Sequence, residues 1–298
     1  MVSSGRQTVT TLAPYIPEQW TSEALGAIEF KTQLWDYVDQ HYRAALKVGD
    51  IVNIPRKSNL TSQTKAAGAS GDVTFEAITE GTQQVTVDTH DYAAQYFEDI
   101  AQVQGNVQFR TLYMDRFGYA LARARDVAVA ALPQSYATAH GTLGQELSDD
   151  DLLDSWTDLK KAGLEDDDEN IFLWISPAAL AALMKQDKFI NQLYGGPGLD
   201  MVKMGRTGKR IYGAQIIMSN LLRAAAAGQA DGAMQHKSQI AGILQLEPTL
   251  LELHNPAGIG WQVVMHNIHG SDEINRPPET AGGGTAVDTY GVYLKTKQ

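Results

Sequence analysis

Two histidines three residues apart, His266 and His269, with Asp272 just beyond them, are the chain's nearest approach to a metal-ligand set. Imidazole and carboxylate suit zinc, but the flanking WQVVMH alternates like a strand, whereas the paired-histidine motif rides on a helix. The acidic run Asp166, Asp167, Asp168 and Glu169 lacks the alternate spacing, central glycine and distal Glu of a calcium loop, so it reads as a solvated turn. A phosphate-loop match ending at Gly208 and Lys209 fails at both ends. Lys203 stands where the first glycine belongs, and Arg210 where the Ser or Thr that would hold magnesium belongs. Gly195, Gly196, Pro197 and Gly198 give a flexible turn without the flanking strand and helix of a dinucleotide fingerprint. Gly68, Ser70 and Gly71 approach a nucleophile elbow, with Asp72 in place of its last glycine. Carboxylates are plentiful, but no pair stands in an apolar setting that would separate two pKa values. The absence of cysteine removes disulfides, thiolate metal sites and a cysteine nucleophile, and suits a reducing compartment. These residues nominate no catalytic group, cofactor or metal ligand.

The elements that would have to position such groups point toward assembly instead. From Lys47 to Gln95 two β-patterned limbs enclose a polar tip. KVGDIVNIPR places Val48, Val52 and Ile54 on one face; DVTFEAI and QQVTVDT alternate again through Val73, Phe75, Ala77, Val85 and Val87. NLTSQTKAAGASG between them has no apolar period. An isolated two-stranded ribbon is marginal in water, so the limbs are expected to find support on another copy of the same chain.

Around this arm the pattern is mixed. EQWTSEALGAIEFKTQLWDYV reads as an amphipathic helix with Trp20, Ile28, Leu34, Trp35 and Val38 on its stripe. A long helix is expected over Val107–Leu132, with Asn106 as N-cap, Phe109, Tyr113, Phe117, Leu121, Ala124 and Ala128 as its stripe, and Pro133 as its end. Its arginines, Arg110, Arg116, Arg123 and Arg125, read as a solvated or salt-bridged face. Ser148 to Asp151 forms a capping box ahead of LLDSWTDLKKAG, IFLWI is a buried strand, and Ser176 and Pro177 open an Ala-rich helix. KRIYGAQIIMSN, IAGILQL, PTLLELH, GWQVVMHNIHG and TYGVYLKTK read as strands, giving an α+β chain. A net charge of −11 argues against a broad basic face for nucleic acid, and no stretch approaches a membrane span. The N-terminus lacks the charged and apolar regions of a secretion signal, so a soluble chain is expected.

The order of these parts resembles the major capsid proteins of tailed bacteriophages, the Hong Kong 97 fold. IPEQWTSEAL, KVGDIVNIPR, FEDIAQVQGN and above all IYGAQIIMSN carry the resemblance, which covers nearly the full chain. It implies residues 1–46 as an N-terminal arm, 47–95 as an extended hairpin called the E-loop, 96–140 with 276–298 as a peripheral domain around a spine helix, and 141–275 as an α+β axial domain. It implies a non-enzymatic head protein that self-assembles into hexamers and pentamers of an icosahedral shell around double-stranded DNA, located in the virion and assembled in the host bacterial cytoplasm. The implied partners are further copies of the chain, a separate scaffolding protein, a portal protein, a decoration or cement protein, and packaged DNA without specific recognition. No membrane partner is implied. The implied subunit contacts are Trp20 and Trp35 on the arm, Arg56, Lys57 and Lys65 along the hairpin, and Glu76 and Glu80 on its return limb. No motif carries over the isopeptide crosslink of some members. The alternatives are a cytosolic α+β enzyme or ligand-binding protein, suggested by the glycine loops, and a tail or neck component of the same virion.

Overall fold

The computed structural model describes residues 34–42, 49–56, 62–68, 70, 72–73, 75, 81–99, 109–164, 169–186, 210–222, 229–274 and 290–297. IFLWI becomes strand β5 (Ile171–Ile175), buried along its whole length. Alternation sends Ile171, Leu173 and Ile175 into one apolar cluster and Phe172 and Trp174 into another. A wholly apolar run is what a strand covered on both faces requires.

Around it lies a six-stranded sheet in the order β4-β11-β8-β5-β7-β6, built from β4 (Ala139–Gly141), β6 (Arg210–Ile211), β7 (Ala214–Met218), β8 (Gln229–His236) and β11 (Gly291–Lys297). The first cluster includes Leu152 and Leu159 of helix α2 (Asp149–Lys161) and Leu180 and Leu183 of α3 (Pro177–Met184). Both starts follow the sequence. Ser148 Oγ accepts from Asp151 N at 3.2 Å while Asp151 Oδ2 accepts from Ser148 N at 3.1 Å, and Ser176 Oγ accepts from Ala179 N with Pro177 next to it. IYGAQIIMSN is a tight hairpin rather than one strand: Tyr212 and Gly213 both take positive φ, 49° and 78°, between β6 and β7. Tyr212 Oη donates to Asp149 Oδ1 at 2.5 Å, a contact that helps hold a non-glycine residue in that region.

On the other side of β5, Phe172, Trp174, Ala233 and Tyr293 pack with Leu34, Trp35, Val38, Val129, Ala130 and Tyr136. Val129 and Ala130 end the long helix α1 (Phe109–Ala131), whose 23 residues run about 35 Å. A 3-10 turn, Leu132–Ser135, takes Pro133 where the α-helix can no longer continue. Asn106, its expected N-cap, lies outside the described residues.

The remaining strands form two smaller sheets. β3 (Thr89–Glu98), β10 (Gly260–Glu273) and β9 (Ile240–Asn255) make a three-stranded antiparallel sheet. IAGILQL and PTLLELH are one strand, because Pro248 falls on the sheet's edge where the register against β10 shifts between His266 and Ile268. β1 (Ile51–Arg56) and β2 (Gly81–Thr86) form the hairpin, in register from Ile51 opposite Thr86 to Arg56 opposite Gly81. β11 lies inside the six-stranded sheet, and β9 and β10 pair with β3. β3 also runs through residue 95, the expected end of the hairpin. Non-local pairing of this kind leaves no mark on local periodicity.

Candidate assembly interface

The hairpin has two unlike ends. At its base Val52, Ile54, Val85 and Val87 are buried with Ala241, Ile243 and Ile274 of the same chain, and Ile268 and Tyr42 close the cluster. The expectation that a second copy supports these limbs is therefore corrected for the base, where β9, β10 and the residue after β10 supply the apolar surface. Gly270 makes the approach possible. A Cβ there would stand 2.2 Å from Thr86 O and 2.8 Å from Val87 Cα, both backbone atoms with little room to retreat.

The far end is bare. Among the described tip residues, Ser62–Gly68, Ser70, Asp72, Val73 and Phe75 are all exposed. Phe75 is 89 % exposed and Val73 61 %, large apolar side chains turned mostly to solvent. DVTFEAI, expected as part of the return limb, is not strand at Asp72, Val73 or Phe75.

Where the chain emerges at Leu34, a polar knot fixes its path. Asp126 of α1, itself buried, accepts from Trp35 N at 3.0 Å and Leu34 N at 3.3 Å, so its carboxylate caps the 3-10 turn Leu34–Tyr37. The Arg125 guanidinium lies 5.4 Å from the centre of the Trp35 ring, and His269 meets that ring edge-on at 5.7 Å. Burial pushes the Arg125 guanidinium below its ordinary value, opposed by the charges of Asp126, Asp36 and Asp91. Gly242 keeps the strand beneath clear, since a Cβ there would press on Val38 and the Trp35 ring.

A second buried network ties β8 and β11 to the 3-10 turn after α1. Tyr293 Oη donates to Asp231 Oδ1, Gln134 Nε2 donates to Asp231 Oδ2 at 2.5 Å, and Tyr136 Oη donates to Gln235 Oε1. Burial first, and the Asp231 bond second, raise the Tyr293 phenol well above its usual value. Ser135 Oγ and Gln239 Nε2 each donate to Glu273 at 2.9 Å, which joins this corner to the end of β10.

The predicted contact residues are scattered among these environments. Trp35 is 8 % exposed, so most of its surface already faces its own chain. Lys65 is exposed on the tip, and Arg56 ends β1. Trp20, Lys57, Glu76 and Glu80 lie outside the described residues. Sequence reasoning passed over Val73 and Phe75 as contact groups, although both were visible as apolar residues beside a segment with nothing to bury. It also passed over Tyr92, Leu251, Leu253 and Ile259, exposed along β3 and the β9–β10 ribbon. The glycine loops and the near phosphate loop fall outside the described residues, and no group of three or more metal-ligating side chains occurs among the described ones. No described helix is long and apolar enough to cross a membrane.

No family model and no curated protein matches the chain. Solved structures do. A chain from Mycobacterium phage Che8 superposes with a TM-score of 0.75 at 19 % identity, over 94 % of this chain and 97 % of that one. The capsid structure of cyanophage P-SCSP1u matches at 0.75 and 17 % identity, over 99 % and 96 %. The acidic stable capsid structure of Helicobacter pylori bacteriophage KHP30 matches at 0.78 and 10 % identity, with both chains fully covered. The chain has a phage-capsid fold. At such low identity the likeness is one of overall fold, carried by largely different side chains.

Proposed function

We propose that the chain is the major capsid protein of a tailed bacteriophage, with copies assembling as hexamers and pentamers into an icosahedral head around double-stranded DNA. The observation that carries this is the end-to-end match of a phage-capsid fold joined to a hairpin whose base is buried and whose tip presents Val73 and Phe75 to solvent. In the vocabulary of that fold the β1–β2 hairpin acts as the E-loop, and α1 acts as the spine helix under the β3-β10-β9 sheet of a peripheral domain. The six-stranded sheet with α2 and α3 forms the axial domain. The tip lies across a neighbouring subunit, where apolar burial at about 25 cal/mol per Å² supplies an attraction repeated at every symmetric position. Arg56, Lys57, Lys65, Glu76 and Glu80 set charge complementarity at its rim, each weak alone.

The role is structural rather than catalytic. The chain resides in the virion after assembly in the host cytoplasm with a scaffolding protein and a portal; a decoration protein and non-specifically held DNA complete its surroundings. The net charge of −11 fits confinement of DNA by a wall that does not grip it. Co-expression with a scaffolding protein should give megadalton shells by sedimentation and negative-stain microscopy. Deleting residues 59–71 should leave the chain folded but unable to close shells. A wild-type chain that stays monomeric under those conditions overturns the proposal, and normal shells from the deletion remove the interlocking role of the tip.

A further inference from the structure

His266 and His269, three apart in sequence, leave β10 on opposite faces, because side chains alternate along a strand. His269 is buried on the α1 side with its Nε2 2.8 Å from Asp91 Oδ2. His266 takes a different partner. Its Nδ1 lies 3.1 Å from Nε2 of His90 on β3, with the rings 5.1 Å apart at 70°. In the register His90 faces Ile268 and His266 faces Tyr92, so the two histidines form a diagonal pair on the sheet face turned away from α1.

We propose that His90 and His266 form a two-histidine site for a borderline divalent transition metal ion such as Zn²⁺. The bite is right. Two nitrogens each about 2.0–2.1 Å from one metal stand roughly 2.9 Å apart at a right angle and roughly 3.3 Å apart at a tetrahedral angle. The observed 3.1 Å falls between these limits. Hydrogen-bonded strands hold the two Cα atoms, so binding turns the rings about their side-chain torsions and leaves the strand pairing in place. Asp91 and Asp99 pair with the sheet's other histidines, His269 and His254, and among the described residues His90 and His266 meet each other rather than a carboxylate. In the metal-free pair one facing nitrogen carries the shared hydrogen. Metal binding moves that hydrogen to the far nitrogen of the same ring, and both facing lone pairs then point at the ion. No third ligand stands near among the described residues, so water fills the open positions and the ion exchanges freely.

Exposure of His90 beside the exposed Tyr92 gives the ion an open path. Bound there, it bridges β3 to β10 close to the position where β9 shifts register. The strand pairing would be held from the side opposite α1.

The test is a calorimetric titration of the full-length, unassembled chain with Zn²⁺, paired with Co²⁺ absorbance as a direct readout of ligation. About one ion per chain is expected, with His90→Ala and His266→Ala each weakening affinity at least about tenfold. His254→Ala, on the same sheet but paired with Asp99, should bind as the wild type does. Zn²⁺ should raise the Tm of the wild type by a few degrees and leave the two variants unmoved. The proposal is overturned by a wild-type chain that binds no ion up to about 1 mM. It is equally overturned by variants, checked for folding by circular dichroism, that bind as tightly as the parent. Neither readout depends on shell formation, so its failure is distinguishable from failure of the capsid role.

Discussion

The two ends of the β1–β2 hairpin are made of the same residue types and put to opposite uses. Val52, Ile54, Val85 and Val87 at the base are buried against their own chain, whereas Val73 and Phe75 near the tip face water. Burial at the base holds the arm's direction. Exposure at the tip leaves apolar area to be buried only when another surface arrives. Under the proposed role of the tip, folding and association draw on separate stretches of one hairpin, and a substitution should disturb one or the other according to where it falls.

Ile54→Ala at the base should cost the most stability, about 2–4 kcal/mol in denaturant unfolding, through lost burial plus the cavity left behind. A cost under about 0.5 kcal/mol would mean that the base is not held by this chain and would break the contrast. Gly270→Ala should cost about 1–3 kcal/mol, because its new methyl would drive the Thr86 and Val87 backbone off β10. Thermal melts check this, and a neutral result would show that the hairpin base moves freely.

Away from the hairpin, Tyr293→Phe should cost about 1–2 kcal/mol by removing a hydrogen bond to a buried carboxylate. Its sign with pH is fixed by the raised phenol: the native state favours the protonated form, so the contribution is complete below the ordinary tyrosine pKa of about 10 and declines as pH rises above it. Unfolding measured from pH 8 to 11 should show a shallower alkaline loss in the variant. Phe75→Ser should change stability least, within about 0.5 kcal/mol, while raising the protein concentration needed for shell formation severalfold. A large loss of stability there would place the tip in the folding core and erase the difference between the two ends.

Parts of this were readable from local chemistry. The capping box at Ser148, the Ser176–Pro177 helix start, the buried run IFLWI and the hairpin limbs at Ile51–Arg56 and Gly81–Thr86 each depend on neighbours a few residues away. The tyrosine at Tyr212 was different. It reads as a strand residue, yet Asp149, distant in sequence, helps hold it in a turn. An apolar stripe does not say which surface it meets: within the chain Trp35 is largely covered, with its backbone N held by Asp126 and its ring beside Arg125 and His269.

The sequence by itself determined the α+β class, the starts of α2 and α3, the paired limbs Ile51–Arg56 and Gly81–Thr86, and the lack of any complete short catalytic motif, since all of these follow from spacing and residue type within a short window. Only the tertiary structure decided that β11 belongs among the strands of the six-stranded sheet, that the base of the hairpin rests on β9, β10 and Ile274, and that His266 meets His90 rather than His269. The physical reason is common to all three. Strand pairing joins residues far apart in the chain through backbone groups that every residue carries, so the partner is chosen by the packing of the whole molecule and not by the local pattern.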